Sequence, residues 1–241
     1  MERKQVVFND FKIFSGSFLK IIAVVSMLID HIAVAFGHLN FFNETIFSIG
    51  GKEISFFFIM RCIGRLAFPL FCFLIAEGYH HSKNRIKYGV NLIAFAVISE
   101  IPFDLFVANK PISFLSQNVY FTLALGLLSL IVIESQWKNI YKAIFFALAF
   151  GATIFLHIDY GIRGVLLIVL LYILRENALL KTILSFPFLS GGYAAFCALV
   201  PINMYNGKRG FIKGKFAKYF FYAFYPVHLL VLYLIRRFMV G

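Results

Sequence analysis

Residues 19–36, "LKIIAVVSMLIDHIAVAF", form an apolar run of lipid-spanning length that carries Asp30 and His31 side by side in its middle. A helix needs about 20 apolar residues to cross the hydrocarbon core. An ionisable group at the centre of such a helix costs roughly 2.5–3.5 kcal/mol on insertion scales, so it either lines a polar cavity or is paired. The run therefore reads as a membrane helix, and its acid and imidazole as candidates for function.

The rest of the chain repeats the pattern. Of 241 residues 61% are hydrophobic and 14% charged, with Phe alone supplying 32, whereas about a quarter of an ordinary soluble domain is charged. The mean hydropathy is +0.85. Runs at roughly 18–38, 55–78, 88–107, 119–135, 140–157, 160–175, 178–190, 191–204 and 217–235 are candidate spans. The expected fold is an all-α, polytopic integral membrane helical bundle of about eight to ten transmembrane helices. It forms a single domain over 1–241, with 1–17 as a cytoplasmic amino-terminal segment. No small-residue cleavage site follows the first run, which reads as a retained helix rather than a cleaved signal.

The formal net charge is +12. Lys and Arg concentrate in "HHSKNRIK" (80–87), at Lys138, Lys142, Arg175 and Lys181, and in "NGKRGFIKGKFAK" (206–218), while "LNFFNETIFSIGGKE" and "VANKPISFLSQN" are poor in them. The positive-inside rule puts the first group in the cytoplasm together with Arg3, Lys4 and Lys12, and predicts a multi-pass protein of the inner (cytoplasmic) membrane. These cations set topology and meet anionic membrane lipids, so nucleic acid is not an expected partner. Nine spans satisfy the charge pattern if 178–204 crosses twice with "SFPFLSGG" as the turn; Arg236 and Arg237 then fall outside, against the rule. Cys62, Cys72 and Cys197 lie in apolar runs without a CxxC pair or a His at ligand spacing, so no metal and no disulfide framework is expected.

Lys20 and His31 are eleven residues apart, which on a helix returns to the same face about 16 Å further along. A cation at the cytoplasmic mouth then stands in line with a deep imidazole, as an enzyme using an anionic cytosolic cofactor requires; the plainer alternative is a snorkelling Lys and a structural His. Arg61 and Arg65 share a helix face and can clamp a phosphate or carboxylate, or pair with Glu77 or Asp30. Pro69 interrupts or kinks the helix after it. Glu100 and Asp104 flank Pro102 and can bind an incoming amine, cap adjacent helices or pair with Arg163. Asp159 and Arg163 have the spacing of an intrahelical salt bridge. Tyr222, Tyr225 and His228 sit near Pro226 in an otherwise apolar run. No glycine-rich phosphate loop, GxSxG or HExxH motif occurs.

Taken together, "SMLIDHIAVAF", "IGRLAFPLFCFLIAEGYHHSKNRIKYGVNLIAFAVISEIPFDLF", "NVYFTLALGLLSL", "DYGIRGVLLIVLLYIL" and "FAKYFFYAFYPVHLLVLYLIR" resemble, in order and spacing, the blocks of the TraX family, from about residue 18 to 236. Ser82 stands where the family pattern has Thr. Lys20 and His31 are also similar to the basic-x10-His pattern of membrane acyltransferases. The resemblance implies acyl transfer from acetyl-CoA to an amine or hydroxyl, the family being associated with acetylation of a pilin amino terminus. It makes His31 the catalytic base or acyl carrier and Lys20 its companion. On that footing Asp30, Glu77, Glu100 and Asp104 are candidates to orient His31 or bind the acceptor's amine, and Arg61 and Arg65 join Lys20 as cofactor-binding candidates. Asp159, Arg163, Tyr225 and His228 are candidates for acceptor contact, with Tyr225 also able to stabilise an oxyanion. The acceptor can be a pilin, another secreted peptide, a sugar or a small amine, and self-association of so small a helical set is expected. Two other classes fit the buried charges: a proton-coupled transporter, and a non-catalytic membrane assembly factor for a pilus or secreted peptide.

Overall fold

A computed structural model describes residues 12–240, so the first eleven residues of the expected cytoplasmic segment lie outside the described residues. Helix α1 (Gly16–Phe36) is capped by Ser15, whose hydroxyl accepts from the Phe18 N–H. A short helix α2 (Asn40–Asn43) and a hairpin, β1 (Thr45–Ile49) with β2 (Lys52–Ser55), come next. The sequence expectation had no strands. Their signal is the alternation in "TIFSIGGKEIS" around Gly50 and Gly51, whose φ values of 56° and 79° make the turn.

Helices α3 (Phe56–Gly64) and α4 (Ala67–His81) are nearly continuous, joined at Arg65 and Leu66. The interruption lies before Pro69 rather than after it, because Pro69 sits in the first turn of α4, where a missing N–H is tolerated. Then come α5 (Arg85–Ala108), which runs through Pro102, α6 (Val119–Glu134), α7 (Asn139–Phe155) and α8 (Gly161–Ile173). Short helices α9 (Ala178–Ser185), α10 (Gly192–Phe196) and α11 (Leu199–Asn203) precede the long α12 (Gly214–Val240). Four segments are long and apolar enough to cross a membrane: Gly16–Phe36, Phe56–His81, Arg85–Ala108 and Gly214–Met239; the remaining helices are apolar but shorter.

Helices α1, α12, α5, α6 and α4 pack into a ring, with α8 bridging α4 and α6 on the outside and α7 flanking α6 and α8. The segment α9–α11 leaves from beside α8 and returns to Tyr205, which pairs with Phe14 next to the start of α1. Its tip, at Gly191, rests on the Arg65 stem at the joint of α3 and α4. At the other end of the bundle Arg236 donates to the Phe106 carbonyl at 2.7 Å and to Asn109 at 3.0 Å. The arginine that sits awkwardly with the charge rule thus satisfies one of the last carbonyls of α5 and the side chain of its C-cap.

Close helix approach depends on small residues. At Gly164 a β-carbon would come within 2.5 Å of Thr122 on α6 and 2.6 Å of Phe68 on α4. Gly164→Ala is expected to lower the melting temperature in detergent, through overpacking worth about 1–3 kcal/mol. Gly89→Ala, whose β-carbon would meet nothing nearer than 3.6 Å, is expected to leave it unchanged.

Candidate functional site

A cavity of about 740 Å³ fills the helical ring. Its mouth is built from helix ends: Ser17 and Lys20 of α1, Glu77 and His81 of α4, Lys87 of α5 and Lys218 of α12, with Arg209 from the loop before α12. That loop is tied to α1 by bonds from the Gly16 and Ser17 N–H groups to the Lys208 and Arg209 carbonyls, both 2.9 Å, and by the Ser17 hydroxyl, which donates to Arg209 O and accepts from Ile212 N. The first N–H groups of α1 are thereby occupied, which leaves side chains to meet an anion at this mouth.

Inward the walls become apolar and aromatic, with Met27, Leu92, Tyr120, Tyr222 and Tyr225. Tyr225 is buried, and its ring lies 6.2 Å from that of His31 and 5.3 Å from that of Tyr120. Met27 precedes His31 by one helical turn. The cavity therefore follows α1 from Lys20 to Met27 and ends one turn short of His31. Neither His31 nor His228 is among the residues that line it, and Tyr225 of the cavity wall packs against both rings.

His31 Nδ1 lies 2.6 Å from His228 Nε2. The ring centroids are 4.9 Å apart and the planes differ by only 22°, so the two imidazoles meet edge to edge. The Phe106 ring also packs against His31, edge to face with centroids 5.6 Å apart.

Asp30 points elsewhere. Its Oδ2 accepts from Arg61 at 2.6 Å, while Oδ1 is buried without a hydrogen-bond partner, against the backbone of Gly64. Adjacent residues on a helix diverge by about 100°, and here that divergence sends Asp30 to α3 and His31 to α12. Arg61 is therefore engaged, and neither it nor Arg65 is among the residues that line the cavity. Glu77 does line it, 3.4 Å from His81. The Tyr205 phenol beside Glu77 is pushed up to about 12 by burial and by that carboxylate.

Glu100 and Asp104 serve the loop between α5 and α6. Glu100 accepts from the Asn118 N–H at 2.9 Å, at the cap of α6, and Asp104 accepts from the Ser113 N–H at 2.7 Å. The helix-capping alternative in the sequence describes Glu100 well. The intrahelical salt bridge expected of Asp159 and Arg163 does not form among the described residues. Helix α8 starts at Gly161, so Asp159 lies off it, while Tyr160 turns the chain with φ 61° and Arg163 is exposed. Asp159 instead accepts from the Tyr160 N–H at 2.9 Å. Burial pushes its carboxyl up to about 6, with that N–H and Arg65 acting in the opposite direction.

Lys87, Arg209 and Lys218 line the cavity although the sequence does not single them out, the basic run 208–218 reading as a cytoplasmic loop. Their signal was the basic density itself. Nothing in the sequence says that these loops converge on Lys20.

A family model described as "TraX protein" matches residues 15–236. A relative named "Probable fimbrial assembly protein FimC, serogroup H1", from Dichelobacter nodosus, is 33% identical over 249 residues, covering 91% of this chain and 94% of the relative. No solved structure matches.

The ion chemistry has two measurable outcomes. Arg61→Met leaves the Asp30 carboxylate without its cation and is expected to cost on the order of 3 kcal/mol in thermal unfolding, whereas Asp30→Asn with Arg61→Met recovers much of the loss. Asp159 has a folded pKa above its unfolded value, so the folded state holds the proton more tightly and stability is lost as pH rises from about 4 to about 6. Asp159→Asn is expected to flatten that dependence and to be more stable than wild type at pH 7 by roughly 2 kcal/mol, read from melting temperatures across the pH range.

Proposed function

This chain belongs to the TraX family, and from that premise we propose that it is a membrane-embedded acyltransferase serving pilus assembly or pilin processing. It moves an acetyl group from cytosolic acetyl-CoA to an amine or hydroxyl acceptor, such as the amino terminus of a pilin or another secreted peptide. The observation that carries this reading is the cavity, cationic at its mouth and aromatic within, whose inner wall at Met27 and Tyr225 adjoins the His31–His228 pair.

The chemistry suits such a path. Phosphates of the donor are met by Lys20, Lys87, Arg209 and Lys218 at the mouth, and the apolar throat takes the acyl-bearing arm. A thioester leaves readily, so alignment and a base supply most of the catalysis required. His31 is that base, and the Tyr225 hydroxyl is the nearest candidate to stabilise the oxyanion.

In this reading the basic mouth faces the cytoplasm of the cell membrane. Helices α1, α3 with α4, α5, α6, α7, α8 and α12 cross it. The α9–α11 segment is re-entrant, because its ends share the mouth side and its tip reaches only the α3–α4 joint. That makes seven crossings and one re-entrant segment of three short helices, fewer crossings than the eight to ten expected from hydropathy, with the amino terminus on the cytoplasmic side in this reading.

The name of the relative favours a second reading, a non-catalytic assembly factor. Binding and turnover of labelled acetyl-CoA by the purified protein separate the two. Expected are saturable donor binding, its weakening by about tenfold in Lys20→Ala and in Arg209→Ala, and a loss of turnover of at least about 100-fold in His31→Ala with binding retained. Folded wild-type protein that binds no acetyl-CoA supports the assembly reading. Normal turnover by His31→Ala removes the base assignment.

A further inference from the structure

His228 Nδ1 lies 2.7 Å from the Phe224 carbonyl oxygen, one turn back on α12. A carbonyl only accepts, so this nitrogen carries a proton, and a neutral ring protonated there has its lone pair on Nε2. That lone pair faces His31 Nδ1 at 2.6 Å, which must then be the donor. The near-coplanar rings hold donor and lone pair in one plane. Both imidazoles are thus in the Nδ1–H form, and the one lone pair left over is on Nε2 of His31.

We infer that His228 is a positioning residue that selects the reactive atom of the site, Nε2 of His31, and that the relay behind that atom is closed. The order runs from Nδ1–H of His31 to Nε2 of His228, and from Nδ1–H of His228 to a backbone carbonyl that cannot pass a proton on. No carboxylate takes part, since Asp30 is held by Arg61. The inference rests on the acyltransferase reading for its chemical consequence, though not for the tautomers themselves.

The consequence concerns the acceptor's proton. As the amine or hydroxyl attacks the acetyl carbon, Nε2 takes its proton, and the imidazolium keeps its Nδ1–H bond to His228. Cleavage of the carbon–sulfur bond releases the thiolate. With no exit behind Nδ1, the proton returns through Nε2 to the sulfur, giving the CoA thiol and the acetylated acceptor. His31 acts first as base and then as acid, at one nitrogen.

The test uses the whole protein with ¹⁵N-labelled histidine in lipid bilayers, with ring-nitrogen shifts assigned among the six histidines by single substitutions. The expected result is protonated Nδ1 and bare Nε2 at both His31 and His228. His228→Leu removes the acceptor and is expected to shift His31 to the Nε2–H form and to lower kcat by about 100-fold with the KM for acetyl-CoA unchanged. His228→Gln offers an amide oxygen in its place and is expected to restore the Nδ1–H form and most of kcat. A wild-type His31 in the Nε2–H form, an unchanged kcat in His228→Leu, or a parallel loss of donor affinity and kcat in both variants would overturn the inference. Wild-type protein that turns over no acetyl-CoA yet shows both Nδ1–H rings defeats the acyltransferase reading while leaving the relay standing.

Discussion

The ion pair between Asp30 and Arg61 is the interaction on which the rest of the bundle depends. A carboxylate and a guanidinium in an apolar slab are each costly alone, and together they tie α1 to α3 at 2.6 Å. The approach is possible because Gly64 has no side chain: a β-carbon there would overlap the Asp30 carboxyl. One consequence is structural, in that α3 is fastened to α1 just before the chain turns at Arg65 into α4. The other is chemical. With Asp30 turned towards α3, His31 meets an imidazole on α12 as its partner instead of an acid.

That separation organises the two ends of the cavity differently. At the mouth, flexible cationic side chains gather from α1, α5, α12 and the loop that Ser17 binds, an arrangement suited to a mobile anionic ligand. At depth, buried rings with few alternatives surround His31, and hydrogen bonds made by each histidine restrict its orientation. Of the candidate acids Glu77 stands at the mouth, whereas Glu100, Asp104 and Asp159 do not line the cavity. Glu100 and Asp104 hold the loop that starts α6, and Asp159 forms the turn into α8. Buried carboxylates need donors, and loop N–H groups at helix ends supply them as well as any substrate would.

Much of this was legible in the sequence. The four runs at 18–38, 55–78, 88–107 and 217–235 match long apolar segments to within a few residues, since hydropathy over about 20 residues depends only on composition, whereas 178–190 and 191–204 break into short helices. The eleven-residue spacing puts Lys20 and His31 along one face because helical periodicity is local. "DH", "EIPFDL" and "FYPVHL" marked the family blocks, and the family model spans residues 15–236. The intrahelical salt bridge at Asp159 failed for an equally local reason, a helix that begins two residues later than the pattern suggested.

The sequence by itself therefore determined the set of apolar helices, the residues too polar to lie in lipid without a reason, and the face on which Lys20 and His31 align. Which polar residue meets which was decided only by the tertiary structure. His31 and His228 are 197 positions apart, and Asp30 and Arg61 are 31 apart across a hairpin that no periodicity announces. Partner choice depends on how closely helix axes approach and on the direction in which each side chain leaves its helix. Both quantities exist only once the bundle has closed.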